Sequence, residues 1–374
     1  MTRLVLTAGV VLTAVVVLAA AVGVLAYGTE PTRTGTLSIE GLSEDVTLAW
    51  DDSGRVWVEG PAEVALATGL GYAHAVDHGW PASLWRRAAT GTLAEWFGEE
   101  ARALDIHART LGFRALARRT YETLDAERRQ VLDAYARGAT AGFSEPGVVQ
   151  SNPFIVVGAV PDAWQPWDAL AIERLHIYLS APALASDTSW QRAAATDSVV
   201  SEFVAADSSF RAFLGATGGG FDRAYTTDAD TVSGQATLVH QVSAGSSALP
   251  HLAPAVLRSP AGVATALTIP GTLASPSGWS GGIAWALLSG SRLEIERYGG
   301  TRPPPVFSRI VERDGDETLL EVARDTSGLV LRAGAAPGAA PDTTASASGW
   351  RVRWRGFRVG TDLPAFSALR SGQP

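Results

Sequence analysis

Covalent catalysis by thiol or by lysine is closed to this sequence. Its 374 residues include no cysteine, and all 30 of its basic residues are arginine. Thiol nucleophiles, zinc–thiolate sites, iron–sulfur clusters and lysine Schiff bases are therefore excluded. Serine and threonine remain, with six histidines and many carboxylates to assist them. Gly278-Trp-Ser-Gly-Gly282 matches the G-x-S-x-G nucleophile elbow around Ser280. That elbow needs a histidine later in the chain, and none follows His251. A glycine turn feeding a strand is the better reading. His74 and His78 stand four apart, the spacing of two ligands on one helix face, but Ala75 occupies the position where an H-E-x-x-H site needs its Glu. They read as helix-face histidines. His240 and His251 flank Ser243, Ser246 and Ser247, which leaves a Ser–His pair open. Trp80, Trp85 and Trp96 are spaced for packing.

These groups must be held by an α+β chain. A hydrophobic content of 46% excludes bulk disorder, and a net charge of −8 excludes nucleic acid as the main partner. Leu4 to Tyr27 is a run of 24 residues without a charge, long enough to cross a bilayer. It reads as a transmembrane anchor with Arg3 on the cytoplasmic side, placing the remainder in a bacterial periplasm or outside the cell. Ala19-Ala20-Ala21 offers the alternative of a cleaved signal and a secreted product. Residues 28–43 form a tether. Val46 to Val58 predicts a hairpin turning at Asp51-Asp-Ser-Gly54. Helices are expected over Ala62–Ala75, Trp80–Trp96, Asp105–Tyr121, Asp125–Phe143 (capped by Asp125) and Trp167–Leu179. Pro153 to Pro166 reads as a loop with buried aromatics, and Ser208 to Asp230 as a Gly/Asp/Thr-rich stretch. Short strands follow at Ala236–His240, Val263–Ile269, Ile283–Leu288, Leu293–Arg297, Ser308–Val311, Thr318–Val322 and Trp350–Trp354. Ala333 to Gly349 reads as a flexible low-complexity excursion.

A longer ordered pattern runs through the helical half. Gly71-Tyr-Ala-His-Ala-Val-Asp77, Leu84-Trp-Arg-Arg87, Gly91-Thr-Leu-Ala-Glu-Trp-Phe-Gly98 and Arg109-Thr-Leu-Gly112 follow one another. Pro161-Asp-Ala-Trp-Gln-Pro-Trp-Asp168, Ser233-Gly-Gln-Ala-Thr-Leu238, Ile283-Ala-Trp-Ala-Leu-Leu288 and Trp350 to Leu369 extend it. The series resembles the penicillin acylase family over residues 44 to 370. The resemblance implies an N-terminal-nucleophile hydrolase fold, two stacked sheets between helical layers in αββα order. Residues 44–215 would correspond to the helical α-chain and 216–374 to part of the β-chain. It also implies hydrolysis of linear amides: the precursor cuts itself before a Ser, whose new α-amino group serves as its own base. Leu175 to Leu184 falls where the family lines its acyl site.

The same resemblance marks where the sequence departs. The family nucleophile position is Phe221, after Gly220. A phenyl ring can neither undergo the acyl shift nor attack an amide. A histidine found in many relatives corresponds to Ser243, and the oxyanion-hole backbone donor to Ser289. Of two calcium-ligand aspartates, one position holds Leu293 and the other Glu296, so calcium is expected only as a remnant site at Glu296. The chain ends before the family's later β-chain, which predicts an incomplete fold with open sheet edges. The leading expectation is a membrane-anchored family member that has lost catalysis, either a degenerate paralogue or a binding or scaffold module, with an acyl-amide small molecule as a candidate ligand. Two alternatives stand beside it. One is an amide hydrolase with a displaced nucleophile at Thr217, Thr226 or Thr227. The other is half of a split acylase that needs a partner chain.

Overall fold

The computed structural model describes residues 33–149, 151–216, 223–228, 236–241, 252–288, 290, 292–301, 303–325, 328–331, 346–361, 365 and 367–368. The apolar run 4–27 lies outside them. Among the described residues, no helix is long and apolar enough to cross a membrane.

The hairpin forms where the turn chemistry places it. Strands β1 (Thr47–Trp50) and β2 (Val56–Glu59) pair antiparallel around Gly54, whose φ of 78° suits glycine. The first two expected helices are the two legs of one kinked element, α1 (Glu63–Thr90), whose second leg ends at Thr90 and not at Trp96. Pro81 has no N–H to give the Asp77 carbonyl, and the chain departs from helical geometry at His78. A single turn, α2 (Ala94–Phe97), follows the left-handed Gly91. The expected helix 105–121 is two helices, α3 (Glu99–Leu111) and α4 (Phe113–Thr123). They are parted by Gly112 at φ 72°. Helix α5 (Ala126–Phe143) starts at Asp125, whose carboxylate accepts from Arg128 N–H. The segment expected as loop contains α6 (Pro146–Val149) and α7 (Asn152–Val157) before the buried Trp164. Helix α8 (Pro166–Ser180) opens with a Gln165/Asp168 capping box. Two helices that the pattern did not suggest follow, α9 (Thr188–Ala194) and α10 (Ser198–Phe213), the second overrunning the start of the Gly/Asp/Thr-rich stretch.

Strands β3 (Arg223–Thr226) and β4 (Leu238–Gln241) make a two-stranded ribbon. Strands β5 (Ala253–Ser259), β6 (Gly262–Thr268), β7 (Ser277–Ser280) and β8 (Ile283–Ala286) join the first hairpin in a six-stranded sheet ordered β1-β2-β5-β6-β7-β8. Its one parallel pair is β2–β5. A five-stranded sheet ordered β10-β11-β12-β13-β9 is built from β9 (Leu293–Thr301), β10 (Pro305–Val311), β11 (Glu317–Asp325), β12 (Gly328–Leu331) and β13 (Ser346–Trp354). The last strand takes in Ser346 to Gly349, expected to belong to the flexible excursion.

One apolar core joins the helices to both sheets: Val58, Ala255 and Leu257 of the first sheet, Ile310, Leu329 and Val352 of the second. Close approach of α1 and α5 depends on glycine. A Cβ at Gly71 would lie 2.3 Å from the Tyr135 carbonyl oxygen, and one at Gly138 would lie 1.9 Å from that of Thr68. A fully buried guanidinium closes the end of α8. Arg211 donates to the Tyr178 and Leu179 carbonyls at 3.1 and 3.0 Å and to Asp207 at 2.8 Å. A cation at a helix C-terminus satisfies carbonyls that the helix leaves open. Arg174 ties the 355–360 segment to the helices by donating to the carbonyls of Gly356, Arg358 and Gly360.

Candidate functional site

In the sequence, Phe221 lies two residues before β3, and Ser289 lies three residues after β8. Strand β4, the partner of β3, contacts β8. The side chains at stake, Phe221, Ser243 and Ser289, lie outside the described residues, as do His251, Ser246, Ser247 and Thr217. Thr226 and Thr227 are described: Thr226 pairs with Leu238, and Thr227 N–H donates to the Thr237 carbonyl at 2.9 Å. Ser280 is a hairpin residue. It pairs with Ile283 across Gly281 and Gly282, at φ 57° and 86°. Two left-handed residues make the tight two-residue turn of a β-hairpin, with no helix following the serine.

Glu296 sits on the outward face of β9. It is 3.4 Å from Arg353 and 3.9 Å from Arg351, so two guanidiniums already neutralise its carboxylate. Leu293 is buried, and its carbonyl accepts from Trp190 Nε1. Among the described residues, no group of three or more His, Asp or Glu side chains could hold a metal ion.

His74, the histidine of the Gly71–Asp77 motif, is structural. His74 Nε2 lies 2.8 Å from Thr268 Oγ1, and its Nδ1 lies 2.8 Å from the Tyr135 hydroxyl. Thr268 gives its proton to the Ala253 carbonyl, so Nε2–H must donate to Thr268 and Nδ1 must accept from Tyr135. Burial holds this imidazole down to about 3, with His78 adding to the effect. Such a ring is a neutral cross-brace between α1, α5 and β6, not a base. His107 is held down to about 4, again by burial first. Its Nε2 is 2.9 Å from the Tyr178 hydroxyl, which donates to Asp207. The acyl-site segment Leu175–Leu184 is core here. Leu175, Tyr178, Ala181 and Leu184 are buried, with Tyr178 against Phe113 and Trp354.

A cavity of about 160 Å³ opens beside Glu63 at the start of α1. Leu66, Leu70, Leu257, Ala264 and Leu273 line it. The Ser367 hydroxyl donates to Glu63 at 2.7 Å.

Residues 45–292 match the sequence profile of the family described as Penicillin amidase. The chain belongs to that family. A stretch of 144 residues is 38% identical to penicillin acylase 2 proenzyme of Pseudomonas sp. (strain SE83), covering 38% of this chain and 18% of that protein. Acyl-homoserine lactone acylase QuiP of Pseudomonas fluorescens (strain Pf0-1) is 26% identical over 152 residues, 39% of this chain and 18% of the relative. The match therefore spans about a fifth of the length of these relatives. Among solved structures, a thermostable penicillin G acylase from Alcaligenes faecalis aligns over 46% of this chain and 91% of its own. The identity there is 21% and the TM-score 0.35.

The residues that carry the penicillin amidase pattern have visible work in the scaffold. Arg87 donates to Glu95 at 2.6 Å and to Asp162 at 2.7 Å. Arg86 donates to the Asp162 carbonyl and lies 3.8 Å from the buried Asp168. Together they clasp the Pro161–Asp168 segment against α1. Asp105 receives the Leu93 and Ala94 amides at 2.8 Å, closing the turn before α2. Arg109 reaches the Gly91 carbonyl and Ser308. The sequence signature marked a family through its scaffold, while the positions of the reacting groups fall elsewhere.

Proposed function

We propose that this chain is a non-hydrolytic member of the penicillin amidase family, anchored to a membrane by residues 4–27, which keeps the helical scaffold without the amide-cleaving step. One observation carries the reading: Gly220-Phe221-Asp222 stands directly before β3, where the family mechanism needs a residue with a nucleophilic side chain and a free α-amine. Neither Gly, Phe nor Asp brings a hydroxyl or thiol to that place. At the family level the activity is amide hydrolysis, and the relatives' names point to penicillins and acyl-homoserine lactones as the compounds to test. The pairing of Thr226 and Thr227 within the β3–β4 ribbon argues against a displaced threonine nucleophile there, because a cut before either would sever the ribbon.

The test is mass spectrometry of the purified full chain together with an amine-release assay on phenylacetyl amides, penicillin G and acyl-homoserine lactones. A single chain uncut in the 216–227 region and no amine release are expected. Two chains parted between Ala216 and Thr227, or any turnover that rises with enzyme concentration, would overturn the proposal.

A further inference from the structure

A short aliphatic knuckle stands out from the body of the molecule. Ile155 and Val156 of α7 and Val160 beyond it are 53%, 83% and 65% exposed. The same segment is rooted by Phe154, which is fully buried. Phe154 packs edge-on to Trp80 at 5.2 Å and to Trp96 at 5.8 Å. The turn after α7 is left-handed at Gly158, which throws Val160 to the surface on the far side of the bend. Scattered single apolar residues on a surface need no explanation, but three within six positions on a rigid root do.

The point where the amino-terminal segment meets the body lies at the kink of α1, beside the same Trp80. Arg33 is bound to Asp77 at 2.9 Å, and Trp50 Nε1 donates to the other oxygen of that carboxylate. Asp77 is within one helical turn of Gly79 and Trp80. A Cβ at Gly79 would touch Val148 and Phe154. The uncharged run 4–27 ends six residues before Arg33. Six extended residues reach at most about 20 Å. A bilayer that holds that run must therefore lie close to this side of the molecule.

Charge near the knuckle is mixed. The exposed Arg313 places a guanidinium nitrogen 3.3 Å from a Cβ position at Gly158 and donates to the Trp96 carbonyl. Asp314 and Asp316 share its turn and are also exposed. That combination suits a phosphate paired with its own cation better than a strongly anionic surface.

We propose that Ile155, Val156 and Val160 form a membrane-contact knuckle, inserting aliphatic side chains into the interface of a zwitterionic phospholipid bilayer while Arg313 meets a headgroup phosphate. The proposal rests on the membrane-anchored reading of residues 4–27. It adds a second contact that fixes the orientation of the body, with α1 running away from the lipid from His78 toward Glu63. Interfacial side chains of this kind add to an anchor rather than replace it.

The absence of cysteine makes the test direct. Val156→Cys in the full chain carries the only thiol and takes an environment-sensitive fluorophore at that site. Ala261→Cys in the β5–β6 turn, beside Glu63, is the control. It lies at the Glu63 end of the first leg of α1, a leg about 24 Å long at 1.5 Å per residue. Both are reconstituted with phosphatidylcholine vesicles, with and without a lipid-attached nitroxide quencher. At position 156 the emission should shift to shorter wavelength and lose most of its intensity to the quencher; at position 261 neither should happen. Adding Ile155→Asp and Val160→Asp to the Val156→Cys chain should abolish the shift while the chain still floats with vesicles. A floating chain whose label at 156 behaves like that at 261 overturns the knuckle alone. A chain that does not float overturns the anchored reading and the knuckle with it.

Discussion

Gly71→Ala is the sharpest test of how the family motif supports this fold. Alanine is the better helix former by about 1 kcal/mol, so propensity alone predicts stabilisation. The structure predicts the reverse. The new Cβ would stand 2.3 Å from the Tyr135 carbonyl oxygen and 2.9 Å from the Ala139 nitrogen, both backbone atoms of α5. Backbone cannot rotate out of the way, so α1 and α5 must separate by about 1 Å for an ordinary contact. Overpacking of this kind costs about 1–3 kcal/mol. The same separation draws the Tyr135 hydroxyl from His74, now 2.8 Å away, and leaves a buried polar pair unmet for about 1–3 kcal/mol more. Set against the propensity gain, the net loss is about 1–5 kcal/mol. Urea unfolding followed by tryptophan fluorescence reads it as a lower midpoint at unchanged slope. Gly299→Ala, on an exposed strand position with nothing within 4 Å, should stay within about 0.5 kcal/mol. A Gly71→Ala chain as stable as the parent would refute the packing argument.

Stability should fall in mild acid. His74 and His107, at about 3 and about 4 in the folded chain against 6.5 unfolded, let the unfolded chain take protons first below 6.5. That is a loss of about 2 kcal/mol each between pH 8 and pH 5. Asp105, pushed up to about 6 mainly by burial, works the other way and returns about 1 kcal/mol over the same interval. The net loss of about 3 kcal/mol is measurable by denaturant unfolding at the two pH values, and His107→Gln should remove part of the slope. Asp207→Ala, which strands the buried Arg211 and opens the Tyr178 hydroxyl bond, should cost about 3–5 kcal/mol in the same assay. Millimolar calcium should leave the thermal midpoint unchanged, since Glu296 is held by Arg351 and Arg353; a calcium-dependent rise that Glu296→Gln removes would contradict this.

The sequence made local features readable where the residue type dictates the backbone. The 51–54 turn, the Asp125 cap and the Gly281-Gly282 turn are of this kind. Helices α9 and α10 escape the pattern because α9 is short and Ala/Ser/Thr-rich and the apolar period of α10 (Val200, Phe203, Phe210) is interrupted at Asp207, yet both carry a signal. Asp187 and Asp197 accept from Ser189 and Val199 N–H as start residues should. Strand β5 was missed because Pro254 breaks the strand pattern and its partner β2 lies far away in sequence. The break at Gly112 is legible in the residue type, but the helical period continues across it and masks it. The site was legible only through the family pattern. Arg86, Arg87 and Asp168 are themselves buried and held by specific partners, so this part of the pattern marks packing. No local rule in the sequence says which side chains at strand ends will face each other.

The parallel pairing of β2 with β5 has a consequence for how the chain is made. Val56 meets Ala255, about 200 residues later. At about 5–20 residues per second, a ribosome needs about 10–40 s to deliver that partner. Until then β1–β2 is an isolated hairpin, which is marginal in water. The sheet-facing side of α1 waits uncovered beside it. Such a nascent chain stays open to chaperones and to a translocation channel for most of its synthesis, and closes only once its second half has emerged.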